Sequence, residues 1–229
     1  MKPVFDPKPP VIVATSRGEG FPVGRVFCIG RNYAAHAREM GHDPDREPPF
    51  FFTKWAETVV QAGTITMPPE TDDYQFEAEL VVAIHKGGRN IRPADAQAHI
   101  YGYACGLDMT RRDLQAEAKK KGRPWDVAKN VEQSAPIGLI HPVEDLPDMT
   151  LGGITLTQNG ELRQSGDLSD MIWPVVDVIA YISRFYTLEA GDLIYTGTPE
   201  GVGPVRAGDT LSVMIAGLSD LNVTVGERQ

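Results

Sequence analysis

The sequence predicts a mainly β domain with a few helices, of the α+β class, and three observations carry that expectation. Short apolar or alternating runs bounded by Gly, Pro and Asn recur along the 229 residues, while clear helical periodicity is scarce. Residues 155–164 place Asn159-Gly160 between two alternating segments, the pair that a type I′ hairpin turn requires. Residues 75–84 read Gln-Phe-Glu-Ala-Glu-Leu-Val-Val-Ala-Ile, a strand entering the core with two carboxylates where apolar residues belong. Side chains alternate along a strand, so Glu77 and Glu79 share one face, and a nearby cation would relieve their repulsion. An edge strand with a wet face is the plain alternative.

In chain order, residues 1–24 hold Pro3, Pro7, Pro9, Pro10 and Pro22 around one short apolar run. Proline at this density excludes helix, so an extended arm or edge hairpin is expected, appended to a domain spanning residues 25–229. Residues 26–29 read as a strand ended by Gly30. Asn32 is placed to cap a short Ala-rich helix that stops at Gly41. His36 and Glu39, three apart, share a face of it, where a carboxylate can orient an imidazole that takes a proton from water; a surface His–Glu contact is the alternative. A polar, proline-bearing connection follows, and a helix between it and Gly30 can act as a lid. Residues 50–54 run apolar into Lys54, which either snorkels or meets an anionic substrate.

A short helix is expected over residues 93–99. Residues 101–108 then alternate cleanly, with Tyr101, Tyr103, Cys105 and Leu107 on one face and Gly102, Ala104, Gly106 and Asp108 on the other. A face of such small residues implies close backbone approach with Asp108 projecting into a cleft, where it adds a third carboxylate to the Glu77 strand. Residues 111–121 are helical in composition and stop at Gly122; Arg112 and Gln115 share one face. Lys129 lies in a mostly apolar setting, and residues 136–139 read as a strand. Residues 174–186 are the best amphipathic helix, with Val175, Val178, Ile179, Ile182 and Phe185 or Tyr186 inward. Residues 191–204 form a strand running into a glycine-rich loop. That loop lacks the Gly-Lys-Ser/Thr ending of a nucleotide phosphate loop, but its N–H groups and Thr hydroxyls suit a small carboxylate. Strands near 210–215 and 221–225 close the chain.

The formal net charge of -9 argues against nucleic acid as a partner, and Lys119-Lys120-Lys121 is too short a basic cluster to overturn that. Cys28 and Cys105 are isolated, which fits a reducing compartment and excludes a zinc site built on cysteines. No run approaches a membrane span and no apolar signal core opens the chain, so a cytoplasmic protein is expected.

These stretches, in this order, resemble the fumarylacetoacetate hydrolase family from about Val26 to about Gly217. The resemblance rests on Gly30-Arg31-Asn32-Tyr33 with His36 and Glu39, on Glu77-x-Glu79-Leu80, and on Asp-Met-Thr-Arg-Arg-Asp-Leu-Gln at 108–115. Lys-Lys-Lys-Gly-Arg-Pro-Trp at 119–125, Ala128-Lys129, the 159–164 turn, Met171-Ile172-Trp173 and the 191–203 loop complete it. It implies a mixed β-sandwich roll, a homodimer, and a Mg²⁺ or Mn²⁺ ion on Glu77, Glu79 and Asp108. It further implies that His36 and Glu39 form a water-activating dyad, that Lys129 is catalytic, and that Arg31, Tyr33, Lys54, Arg112, Gln115 and Thr198 hold the substrate. Within the family the sequence is most similar to the branch that cleaves fumarylpyruvate in gentisate breakdown, with acylpyruvases and oxaloacetate decarboxylases close behind. Trp55 departs from the pattern, which has Pro or a small residue there.

Hard oxygen ligands suit such an ion. The expected reaction is metal-assisted hydrolysis of a 2,4-dioxo acid: the pyruvyl end chelates the ion and His36, oriented by Glu39, delivers water to the C4 carbonyl. The C–C bond breaks, and the cation and Lys129 stabilise the pyruvate enolate. Decarboxylating oxaloacetate yields the same enolate without attacking water, which keeps that activity as the alternative.

Overall fold

The central strand of the molecule is Ala78–Ile84, every residue of which is buried. In the computed structural model, which describes residues 2–34 and 48–228, it pairs antiparallel with Ile100–Leu107 on one side and Leu193–Tyr195 on the other. The sheet continues outward through Val26–Ile29 to Phe51–Lys54, and on the opposite side through Ala135–Ile137 to Val59–Gln61. Leu193–Tyr195 pairs parallel with Val26–Ile29, and Ala135–Ile137 parallel with Val59–Gln61, so the sheet is mixed. A mid-sheet strand flanked on both sides is no edge, and the wet-face reading of Glu77 and Glu79 falls.

A second, five-stranded sheet runs Glu161–Asp167, Gly153–Gln158, Thr210–Ile215, Leu221–Gly226, Gly63–Thr66. Its first two strands are the expected hairpin, with Asn159 and Gly160 at φ 54° and 81°, the signs of a type I′ turn. The larger core lies between the sheets, where Leu80, Val82 and Cys105 meet Ile154, Leu156, Val213 and Val223. The fold is thus mainly β, a sandwich of mixed sheets. No helix among the described residues is long and apolar enough to cross a membrane.

Strand parity places the chemistry. Leu80, Val82 and Ile84 enter the larger core, while Val81 and Ala83 enter a smaller core on the opposite face with Ala104 and Tyr195. Glu77 and Glu79 share the parity of Val81, and Asp108 that of Ala104, so all three carboxylates emerge where the smaller-core face runs out. Gly106 is needed there: a Cβ on it would lie 2.3 Å from Val81 Cγ2 and 2.8 Å from the Tyr195 ring. The N-terminal strands Ile12–Ala14 and Gly20–Pro22 form a hairpin on this face, to which Val13, Phe21 and Val23 contribute.

Two expected faces differ. A bulge opposite Ala83 and Ile84 flips Tyr101 to the smaller core, where its ring meets Phe21 at 5.6 Å, so it does not share a face with Tyr103. In the Val175–Phe185 helix, Val175, Val178, Ile179 and Ile182 are buried as expected, but Phe185 and Tyr186 are 52% and 43% exposed. Ser183 takes the buried place instead, its hydroxyl accepting from the Ile91 N–H at 2.9 Å, while both rings lean on Phe51.

Candidate active site

Glu77 stands at the break between Tyr74–Phe76 and Ala78–Ile84; Asp108 follows directly on Ile100–Leu107, and its N–H donates to the Glu77 carbonyl at 2.9 Å. That single backbone bond ties two strand ends together. With Glu79, whose register partner is Gly106, it leaves three buried carboxylates whose oxygens lie within 4.8 Å of one another. Three like charges so close and so dry are untenable alone.

Cations answer them from three directions. Lys129, on the short Asp126–Lys129 helix, donates to Glu77 Oε2 and Asp108 Oδ2, both at 2.8 Å. Burial opposes its charge, but Asp108 and Glu77 outweigh burial and raise its pKa. Arg112, opening the Arg112–Lys121 helix, donates to Glu77 Oε1, to Gln75 at 2.9 Å and to Gln115 at 2.8 Å. Lys54 Nζ lies 2.8 Å from Asp108 Oδ1, yet its three hydrogens are directed to Met109 O, Ser134 O and Ser134 Oγ at 2.9 to 3.0 Å. The Lys54 side chain is fully buried beside Asp108: Lys54 pairs with Val26, a residue of the smaller core, and so shares the face on which the carboxylates emerge.

Asp108 Oδ1 is thus buried beside a charge without receiving a hydrogen bond. Glu79 is the other sign of an unfinished site. Burial, reinforced by Asp108 and Glu77, pushes its pKa well above the ordinary carboxylate value of 4.5 against the Gly197 N–H that donates to Oε2 at 2.8 Å. A compact group of hard oxygens with an orphaned lone pair and one reluctant carboxylate fits a small divalent cation.

The opposite wall comes from the glycine-rich loop. Gly197 has φ 95° and would, with a Cβ, press within 2.8 Å of Asn32, so only glycine brings its N–H to Glu79. Thr198 Oγ1 accepts from Gln164 Nε2 at 2.8 Å. Gln164 also donates to Pro199 O and accepts from Ala78 N, which makes it the buried clamp between this loop and the carboxylate strand. Nothing in the local pattern of its largely exposed strand marks that role. Asn32, expected as a helix cap, spends its carboxamide on Trp173 N, Trp173 O and Thr196 O. Tyr33 carries a buried hydroxyl without a partner among the described residues and, with Ser165, Asp170 and Glu200, lines a cavity of about 280 Å³. A larger hollow, about 610 Å³ beside the 158–163 turn, lies elsewhere; its Asp209 is already bonded to Gln158, Asn159 and the Arg206 N–H.

Of the residues expected from sequence, the structure gathers Glu77, Glu79, Asp108, Lys129, Arg112 and Gln115, with Thr198 and Tyr33 on the Glu79 side and Arg31 over the Phe50 ring at 4.9 Å. His36 and Glu39 lie outside the described residues.

A mixed β-sandwich ending in a buried carboxylate triad of this kind defines a class, and residues 25–226 match the fumarylacetoacetate hydrolase C-terminal family, to which the chain belongs. It is 46% identical over 190 residues to fumarylpyruvate hydrolase from Ralstonia sp., covering 82% of this chain and 98% of that protein. It is 42% identical over 200 residues to the mitochondrial oxaloacetate tautomerase of Homo sapiens, covering 87% and 90%. The fold superposes with a TM-score of 0.97 on the crystal structure of fumarylpyruvate hydrolase from Pseudomonas aeruginosa in complex with Mn²⁺ and pyruvate, at 46% identity over 99% of this chain and 100% of that one.

Proposed function

We propose that this protein is a Mg²⁺- or Mn²⁺-dependent hydrolase that cleaves a C–C bond of a 2,4-dioxo acid, converting fumarylpyruvate to fumarate and pyruvate. We further assign it to the cytoplasm, to a homodimer and to gentisate-type aromatic catabolism, with residues 1–24 an appendage on a catalytic domain of residues 25–229. The buried triad Glu77, Glu79 and Asp108, ringed by Lys54, Lys129 and Arg112, carries the reading. Its kinship with fumarylpyruvate hydrolases selects the substrate.

When bound, a divalent ion supplies positive charge where an oxyanion and an enolate develop. Arg112 and Gln115 orient the oxo-acid end from one helix face while Thr198 holds it from the other wall with Tyr33 beside it, and Arg31, seated over the Phe50 ring, meets the rest of the substrate. His36, oriented by Glu39, takes a proton from water; the water oxygen bonds to C4 and the C3–C4 bond breaks. The acyl half leaves as fumarate. The electron pair stays on the pyruvyl half, where Lys129 stabilises the enolate before C3 is protonated. A second reading, action on oxaloacetate, is supported by the tautomerase kinship and uses the same oxo-acid cradle. Initial rates on fumarylpyruvate, acetylpyruvate and oxaloacetate, with Mn²⁺ and with chelator, decide between them. Fumarylpyruvate is expected to be fastest and all activity metal-dependent; oxaloacetate turnover that survives chelation overturns the scheme.

The raised pKa of Glu79 gives a second expectation. Its carboxyl holds a proton in the fold at pH values where it loses it in the unfolded chain, so the metal-free fold loses stability as pH rises above about 4.5. Glu79 would exchange that proton for a divalent cation on binding one. The rise in thermal midpoint caused by saturating Mn²⁺ is therefore expected to grow from about pH 5 to about pH 8, and a constant increment would count against Glu79 as a ligand.

A further inference from the structure

The Arg112–Lys121 helix presents a third polar residue on its site-facing stripe. Arg112, Gln115 and Lys119 stand at i, i+3 and i+7, one face of a helix, with Lys119 about 10 Å further along the axis than Arg112. Its neighbours on the helix, Lys120 and Lys121, are exposed; Lys119 is not. Its ammonium sits 5.2 Å from the centre of the Trp125 ring and makes no hydrogen bond or ion pair among the described residues.

Trp125 belongs to a wall of three rings. Phe50 meets it edge-on at 5.2 Å, and Phe52 is tilted against it at 5.7 Å. Each ring carries a cation on its face: Arg31 over Phe50 at 4.9 Å, Lys119 over Trp125, and Lys129 over Phe52 at 4.9 Å. The cations thus lead outward from the triad along an apolar surface. Burial, followed by the charges of Arg112 and Arg31, lowers the pKa of Lys119 to about 8, with Glu77 acting in the other direction. Lys119 thus holds positive charge half-buried close to Arg112 and Arg31, a setting in which the carboxylate of a ligand can bind.

We propose that Lys119, seated on Trp125 beside Arg31, is a specificity-determining residue that receives a second carboxylate at the far end of the substrate. This rests on the 2,4-dioxo-acid reading and deepens it. With the oxo-acid end held by Arg112 and Gln115, the tail of an acylpyruvate lies along the aromatic wall and its terminal charge meets the Lys119 ammonium. A diacid such as fumarylpyruvate satisfies both ends; acetylpyruvate, which ends in a methyl group, leaves the cation over Trp125 unanswered.

The test compares Lys119→Met and Lys119→Arg with the wild type, all Mn²⁺-loaded, on fumarylpyruvate and acetylpyruvate. For Lys119→Met the ratio of kcat/KM for fumarylpyruvate to that for acetylpyruvate is expected to fall at least tenfold, through a higher KM for the diacid, and Lys119→Arg to restore most of it. An unchanged ratio overturns the assignment, whether both substrates keep their rates or lose them equally, and leaves the hydrolase reading intact. Wild-type protein that cleaves neither substrate ends the hydrolase reading itself and this assignment with it.

Discussion

Replacing Asp108 with Asn is expected to lower kcat/KM by at least about a thousandfold and to weaken Mn²⁺ binding, with the fold retained. Asn keeps the shape but removes a charge, and its amide presents a hydrogen-bearing nitrogen in place of the oxygen proposed to bind the ion. Charge stabilisation by a catalytic metal is worth several kcal/mol, and each 1.36 kcal/mol is a factor of ten in rate. Asp108 is also the shared anion of two buried ammonium groups, Lys54 and Lys129, each 2.8 Å away. Breaking a buried pair costs about 3–5 kcal/mol, so unfolding of the metal-free variant shifts as well. The decisive comparison is activity at saturating Mn²⁺ for protein whose circular dichroism remains native. Turnover within tenfold of wild type would remove Asp108 from the metal site.

Why these carboxylates were legible, and other residues were not, follows from what strand periodicity records. Parity fixes which side chains share a face, so Glu77 with Glu79, and Asp108 with Ala104 and Gly106, could be read along the chain. The small residues at 102, 104 and 106 announced a close neighbour, which proved to be Val81 and Tyr195 for Gly106 and the His141 carbonyl for Gly102. Pairing partners are not recorded in this way. Lys54 is a strand-end lysine whose direction depends on its partner Val26, and only the assembled sheet shows it beside Asp108. Gln164 is likewise ordinary in sequence, and its role appears only when the hairpin, the glycine-rich loop and Ala78 meet. Lys119 was obscured differently. Within a run of three lysines it reads as solvated charge, although its spacing from Gln115 already set it on the helix face of Arg112 and Gln115.

The charge pattern also links stability to function. Three carboxylates and three cations nearly balance in the bare fold, with Glu79 the least accommodated of the acids because no side-chain cation among the described residues bonds it. A divalent ion added to that set leaves an excess of positive charge, which a dianionic substrate neutralises. The set is thus close to balance in the bare fold and again with both metal and a dianionic oxo acid, but not with the metal alone.

Lys129→Met follows from the same balance and separates binding from turnover. Loss of the ammonium leaves Glu77 with Arg112 and Asp108 with Lys54, so each carboxylate keeps one cation and the fold survives with about 3 kcal/mol less stability. The site becomes more negative, so Mn²⁺ affinity is expected to rise. Turnover moves the other way: a positioned donor at a developing oxyanion is worth about a hundred- to a thousandfold in kcat, and methionine offers none. Calorimetric titration with Mn²⁺ and steady-state rates at saturating metal give the two numbers on one preparation. A lysine whose sole task was to hold the carboxylates together would be replaced in that task by the metal, and saturating Mn²⁺ would return kcat to the wild-type value. Tighter metal with kcat still depressed at least a hundredfold assigns Lys129 to the reacting carbonyl–enolate system; full rescue by metal reduces it to a structural counter-ion.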